Sequence, residues 1–179
     1  IPGKSTLVVK SDDVCILKCL LPFINSKLAH FYVCEKYPSS SYCGGINFNY
    51  SMINDMPMPN IESLDRIFFI SSSEKMIKYC NEERQNLMKF RKHIELEFPA
   101  IDVKSLLSIE FNWKLFLSAL KKNDIKFSGK VKDDWFERFC RMKAQDDKIK
   151  LNIQELTDLI DKKIYDLFEL TEDEVRMIS

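Results

Sequence analysis

The hydrophobic pattern changes period several times in the first sixty positions. Thr6-Leu7-Val8-Val9-Lys10 is short and β-branched, which reads as a strand. Ser11-Asp12-Asp13 follows as a turn and helix-capping cluster. From Val14 to Tyr37 apolar residues recur at helical spacing, at Ile16, Leu20, Phe23 or Ile24, Leu28, Phe31 and Val33. Pro22 interrupts them, so the pattern predicts a kink or two helices, with Asn25-Ser26 restarting the second. Pro38 to Gly45 is the most loop-like stretch. Ile46-Asn47-Phe48-Asn49-Tyr50 then alternates apolar and polar, as a half-buried strand does. Met56-Pro57-Met58-Pro59 is expected to be extended, because each proline restricts its predecessor.

Residues 61–98 read as a long, mostly helical region that Ser71-Ser72-Ser73 breaks and recaps before Glu74. Met76, Cys80, Leu87, Phe90 and Ile94 form one apolar stripe, with Glu83 as its exception. Phe98-Pro99 ends the helix, and short helices are expected after it. One runs from Trp113 to Lys121. Asp133-Asp134 caps another that buries Trp135, Phe136, Phe139 and Cys140. Asn152 with Glu155 opens a third, with Leu156, Leu159, Ile160, Ile164, Leu167 and Phe168 as its stripe. Thr171-x-x-Glu174 has the spacing of a capping box. The expected fold class is α+β. A small strand-containing part covers 1–60, a long spacer helix 61–100 and a helical carboxy-terminal part 101–179.

Composition sharpens this picture. The 179 residues are 45% hydrophobic and 30% charged, enough to bury a core. Lys+Arg and Asp+Glu are both 27, and zero net charge excludes a chain that coats polyanions indiscriminately. The zero hides a segregation: residues 101–150 hold 12 basic and 8 acidic side chains, whereas 151–179 hold 3 and 8. A basic middle is balanced by an acidic tail, and the plain reading is that the two attract each other. The 6 cysteines contain no C-x-x-C pair, and His30 and His93 have no ligand at metal spacing, so no metal site is expected. The cysteines read as reduced core residues of a cytoplasmic protein. No apolar run reaches the roughly 18–20 residues of a membrane span, so no membrane partner is expected. The opening Ile1-Pro2-Gly3 suggests a piece of a longer protein.

Phosphate-binding glycine loops and nucleophile elbows are missing from the sequence. Histidine is too scarce to build a triad. No catalytic residue is therefore assigned, and the chain itself does not read as an enzyme.

Three passages, in order, resemble one family. Phe23-Ile24-Asn25-Ser26-Lys27-Leu28-Ala29-His30-Phe31-Tyr32 resembles the Asn-Ser-Lys helix of target-recognition domains in restriction–modification proteins. Gly44-Gly45, Phe48, Tyr50 and Met56-Pro57-Met58-Pro59 resemble the passage that closes such a domain before a long helix. Ile160-Asp161-Lys162-Lys163-Ile164-Tyr165-Asp166-Leu167-Phe168-Glu169-Leu170-Thr171-Glu172-Asp173-Glu174 resembles the carboxy-terminal signature of type IIG adenine methylases, whose end domain is the TaqI-like specificity domain. Glu169 stands where the family usually has Gly, and Phe168 where it has Tyr.

The resemblance implies a parent that moves a methyl group from S-adenosylmethionine to an adenine amino group in double-stranded DNA, with or without endonuclease activity. The family's Asn-Pro-Pro-Tyr motif does not occur, so this chain would be the recognition end and hold no cofactor itself. Its partners would be duplex DNA and a methyltransferase domain in the same parent chain. Base edges are read by side chains with paired donors and acceptors, and phosphates by Lys, Arg, Ser and Tyr. The candidate readers are therefore Lys36, Ser39, Ser40, Ser41, Tyr42, Asn47 and Asn49, with Lys130 and Lys132 from the basic middle. An ordinary polar loop and a solvated basic face are the plain alternatives. Two further readings stay open: the specificity subunit of a type I restriction system, and a helical protein-interaction module whose seam is the Met76–Ile94 stripe.

Overall fold

The structure is a computed structural model that describes residues 8–38, 41–42, 45–46, 49–59, 65–126 and 129–178. The elements are α1 (Val14–Ile24), α2 (Lys27–Lys36), β1 (Ser41–Tyr42), β2 (Gly45–Ile46), α3 (Tyr50–Asn54), α4 (Arg66–Glu97), α5 (Val103–Ser108), α6 (Trp113–Lys122), α7 (Gly129–Leu167) and α8 (Glu172–Ile178). The α+β expectation is overturned, because the architecture is helical. The extended pairing among the described residues is β1 against β2, antiparallel, with two residues a side. Such a pair builds no sheet layer, since stable sheets need more strands or a helix to cover a hydrophobic face. Val8–Lys10 take no regular structure, and Val8 and Val9 are exposed; Thr6 and Leu7 lie outside the described residues. Asn49 and Tyr50, expected on a strand, instead cap and open α3. A β-branched or alternating stretch needs a neighbouring strand: Ile46 has one in β1, whereas none lies beside Val8–Lys10 or Asn49-Tyr50 among the described residues.

Two compact units divide the chain: 1–76 with 155–179, and 77–154. Within the first unit, Asp13 accepts the Cys15 N–H at 2.8 Å to cap α1. The helix does not break at Pro22. It runs on to Ile24, and α2 starts after Ser26, whose Oγ accepts the Ala29 N–H at 3.1 Å. The axes of α1 and α2 differ by 65°. Pro22 supplies no N–H for the carbonyl of Lys18. The hydroxyl of Ser73, buried in α4, donates to that carbonyl at 2.6 Å. The three serines therefore do not interrupt α4, which is continuous over 32 residues. Ser71 donates to the Phe68 carbonyl at 3.0 Å, while Ser72 and Ser73 are buried. Ala29, Val33, Met52 and Met56 form a small core, and Phe23 packs on Phe69 with ring centres 4.8 Å apart.

Within the second unit the core is aromatic. Phe90 is fully buried, stacked on Phe111 at 5.1 Å and set edge-on to Trp135 and Phe139. Phe116 and Leu120 of α6 are buried against the same cluster. Asn86, also buried, donates to the Met142 carbonyl at 3.1 Å. The expected helix starts at Asp133-Asp134 and Asn152 do not exist, because α7 is one helix of 39 residues. Capping residues within a continuous apolar stripe are overruled by packing on both sides of them. Trp135 and Phe139 are buried as expected, whereas Phe136 and Cys140 are exposed. Among the described cysteines only Cys19 is buried, so the core reading fails for Cys15, Cys80 and Cys140.

The end of α7, in the first unit, closes through a left-handed residue. Glu169 has φ 52°, with Leu170 N–H bonded to the Tyr165 carbonyl at 3.1 Å and Glu169 N–H to Asp166 at 3.2 Å. These are the two bonds of a Schellman cap, whose left-handed position favours glycine. Beyond it the capping box forms as the spacing predicts: Glu174 Oε2 accepts the Thr171 N–H at 2.8 Å, which holds the Glu174 carboxyl below the usual glutamate range.

Two stability outcomes follow from these contacts. Ser73→Ala removes the donor to the Lys18 carbonyl and is expected to cost about 1–3 kcal/mol in chemical denaturation. Glu169→Gly is expected to raise stability by about 1 kcal/mol, since relief of the left-handed strain outweighs the extra freedom of an unfolded glycine. The same denaturation midpoints check it, and a loss of stability would show that Glu169 is not strained.

Candidate nucleic-acid interface

The loop that holds most of the candidate readers starts at the end of α2 and finishes at α3. Its base is closed by four side chains in the first unit. Lys36 Nζ donates to the Tyr32 hydroxyl at 2.6 Å, and that hydroxyl donates to the Asp55 carbonyl at 2.6 Å. Tyr37 donates its hydroxyl to Asp55 Oδ2 at 2.7 Å, and Lys36 Nζ lies 3.6 Å from the same oxygen. The Lys36 ammonium also sits 5.1 Å and 5.6 Å from the ring centres of Tyr32 and Tyr37. Residues on either side of the loop are thereby tied together.

The network biases Lys36, Tyr37 and Asp55 toward the state drawn. The Tyr37 hydroxyl beside Asp55 holds its carboxyl below the usual aspartate value, with help from Lys36. Donation to that carboxylate pushes the Tyr37 hydroxyl up, and the Tyr32 hydroxyl pushes the Lys36 ammonium up. All of these groups are solvent-accessible, so their value lies in geometry more than in stability.

The candidate readers fall into three sets. Lys36 belongs to the network just described. Asn49 is the N-cap of α3, its Oδ1 accepting the Met52 N–H at 3.0 Å, and its amide donors meet no partner among the described residues. Ser41 and Tyr42 form β1, paired to Ile46 and Gly45. Ser39, Ser40 and Asn47 lie outside the described residues. Lys130 and Lys132 stand in the first two turns of α7, in the second unit, and both are exposed.

Those two lysines continue a basic run. Lys121 and Lys122 occupy the last turn of α6, where cations are favoured by the helix dipole, and Lys126 follows in the connection to α7. All five are exposed, and none makes an ion pair among the described residues. Further along, Lys143 is held by Asp147 at 2.6 Å, and Arg138 lies over the Trp135 ring at 4.8 Å. In the acidic tail, Asp158 and Asp161 face Lys27, while Glu172 and Asp173 face Arg176. Tail carboxylates thus have partners inside the first unit.

Sequence reasoning missed Tyr32 and Asp55, whose roles depend on α2 and α3 approaching each other. It also missed Asp161, 2% exposed, whose Oδ1 accepts the Lys27 N–H at the start of α2 at 3.1 Å. Burial pushes the Asp161 carboxyl up, against the opposing pull of Lys27. No group of three or more His, Cys, Asp or Glu among the described residues is arranged to hold a metal. No single helix among them is long and apolar enough to cross a membrane.

Asp55 is expected to titrate below the ordinary aspartate value of 3.8. Because its folded value is depressed, the network's contribution is present above the unfolded value and lost as pH falls through the folded one. Tyr37→Phe should move the Asp55 midpoint back up, and a carbon-detected NMR titration of both proteins reads the shift. Against known proteins, the sequence matches no family model and no curated protein, and the fold matches no solved structure.

Proposed function

We propose that this chain is the DNA sequence-recognition part of a cytoplasmic restriction–modification enzyme that methylates the N6 position of adenine. The methyl donor, S-adenosylmethionine, and the chemistry belong to another domain of the parent. The reading rests on the three resembling passages, which keep the family's order across the chain. One conformation supports it: Glu169, which stands where the family has Gly, has φ 52°, the backbone state that glycine favours. The tail signature and the local backbone thus make the same demand.

In this reading the loop anchored by Lys36, Tyr37 and Asp55 presents polar side chains to base edges. A good bidentate pair discriminates by about 1–3 kcal/mol. The lysines from Lys121 to Lys132 hold phosphates, which adds affinity without sequence information. A second reading is the helical protein-interaction module; its expected Met76–Ile94 seam is not a free surface throughout, because Phe90 and Ile94 are fully buried, but other large apolar side chains are exposed. Ile67 is 85%, Leu96 69% and Met177 72% exposed.

Fluorescence anisotropy with a duplex, titrated at several salt concentrations, separates the two. The proposed function gives binding whose logarithm falls linearly with the logarithm of salt. Lys130→Gln with Lys132→Gln is expected to reduce the slope by about 0.9 for each phosphate contact removed. No duplex binding at low salt, together with a concentration-dependent oligomer in sedimentation, would replace it with the second reading.

A further inference from the structure

The second unit contains a cleft of about 340 Å³ that the DNA reading does not use. Its walls come from α4, from α7 and from the segment joining α5 to α6. One wall is a charge cluster built around Lys150. The Lys150 ammonium lies 2.8 Å from Asp146 Oδ2 and 3.7 Å from Glu83 Oε1. Asp146 is 2% exposed, and that oxygen has no hydrogen-bond partner besides the ammonium facing it. An uncompensated buried carboxylate would cost several kcal/mol, so Asp146 fixes Lys150 in place. The positive charge of Lys150 is thereby matched by two carboxylates.

Two other charged residues line the same cleft, Arg84 and Glu110. Neither makes an ion pair within 4.0 Å among the described residues, with each other or with anything else. Leu87 and Phe111 supply the apolar surface. Phe111 is a firm wall, because Phe90 stacks behind it at 5.1 Å and Phe139 lies 6.4 Å away. The cleft therefore offers one unmatched guanidinium, one unmatched carboxylate and an apolar surface. Its size is at the low end of the roughly 300–1,000 Å³ of small-molecule sites. A ligand of a single charge would satisfy one of the two groups and meet the other as a like charge.

We propose that this cleft binds a small zwitterion with an apolar side group, an apolar α-amino acid, with its carboxylate on Arg84, its ammonium on Glu110 and its side chain against Leu87 and Phe111. Guanidinium and carboxylate form the strong, charge-assisted kind of hydrogen bond, and the guanidinium fork selects planar carboxylates. The inference is independent of the DNA reading, because none of these residues belongs to that candidate interface.

The test is a ¹⁵N NMR titration of the whole chain with L-leucine. N-acetyl-L-leucine and L-leucinamide serve as probes that each lack one of the two charges. L-Leucine is expected to give saturable shifts at Arg84, Leu87, Glu110 and Phe111, with both single-charge analogues about tenfold weaker or worse. Arg84→Gln and Glu110→Gln should each weaken L-leucine by a similar factor. Because both side chains are exposed, their unfolding midpoints should stay at the parent value, which separates lost binding from lost fold. The proposal is overturned if L-leucine gives no saturation up to about 10 mM. Equal responses to the three ligands, or substituted chains that bind like the parent, overturn it as well.

Discussion

The first unit depends on how it satisfies the backbone groups that a proline leaves without partners. Pro22 sits inside α1 and removes the N–H that would bond the Lys18 carbonyl. Two residues later the helix ends, and α2 starts with N–H groups that have no carbonyl behind them. A buried orphan of either kind costs about 1–3 kcal/mol. Each is answered by a side chain distant in sequence: Ser73 for the Lys18 carbonyl and Asp161 for the Lys27 N–H. These bonds fix α1 against α4 and the start of α2 against the last turns of α7, all within one unit. Asp161 tolerates burial because a carboxylate at a helix N-terminus gains from the dipole and accepts a backbone donor. The far end of α2 carries Tyr32 and Lys36, so the direction in which the polar loop leaves the fold is set by the same two bonds.

The second unit is held differently. Its centre is Phe90, with Phe111, Phe116, Trp135 and Phe139 packed around it, and the polar contacts sit at the edge of this cluster. Asn86 gives α4 one directional tie to α7, through the Met142 carbonyl. Burial of aromatic area is non-directional, so a buried amide that must meet one carbonyl supplies the register. The Asp146–Lys150–Glu83 cluster adds a second tie of the same kind.

What could be read from the sequence was local. The Asp13 cap, the restart at Ser26, the end of α4 before Phe98-Pro99 and the Thr171–Glu174 box each involve residues within four positions of one another. What could not be read was decided by distant partners. Thr6–Lys10 and Ile46–Tyr50 have strand-like composition, yet a strand exists only through its neighbour: among the described residues Ile46 has one in β1, Val8–Lys10 have none, and Asn49 and Tyr50 go to α3. Ser71-Ser72-Ser73 reads as a breaker because serine competes for backbone bonds; here Ser73 bonds the backbone of another helix, and the break disappears. Asn152 with Glu155 has the letters of a helix start but lies in the middle of α7. Glu169 went the other way. Glu169 marked the position by replacing the Gly of the family that the tail resembles, and the backbone there is left-handed all the same.

The candidate interface was legible as chemistry and not as geometry. Lys36 looked like one more loop cation, equivalent to Lys130 and Lys132. It differs in what holds it. An ammonium has three donors, and Lys36 gives one to the Tyr32 hydroxyl while the Asp55 carboxylate lies close by. What remains points in a direction fixed by two aromatic side chains and a helix end. Lys130 and Lys132 stand exposed with no ion pair among the described residues, and their long stems leave their ammonium groups mobile. A base edge is read by donors held in position, whereas a phosphate is gripped by charge that can follow the backbone. The two kinds of lysine suit those two tasks, and only the contacts of Lys36, invisible in its sequence neighbourhood, tell them apart.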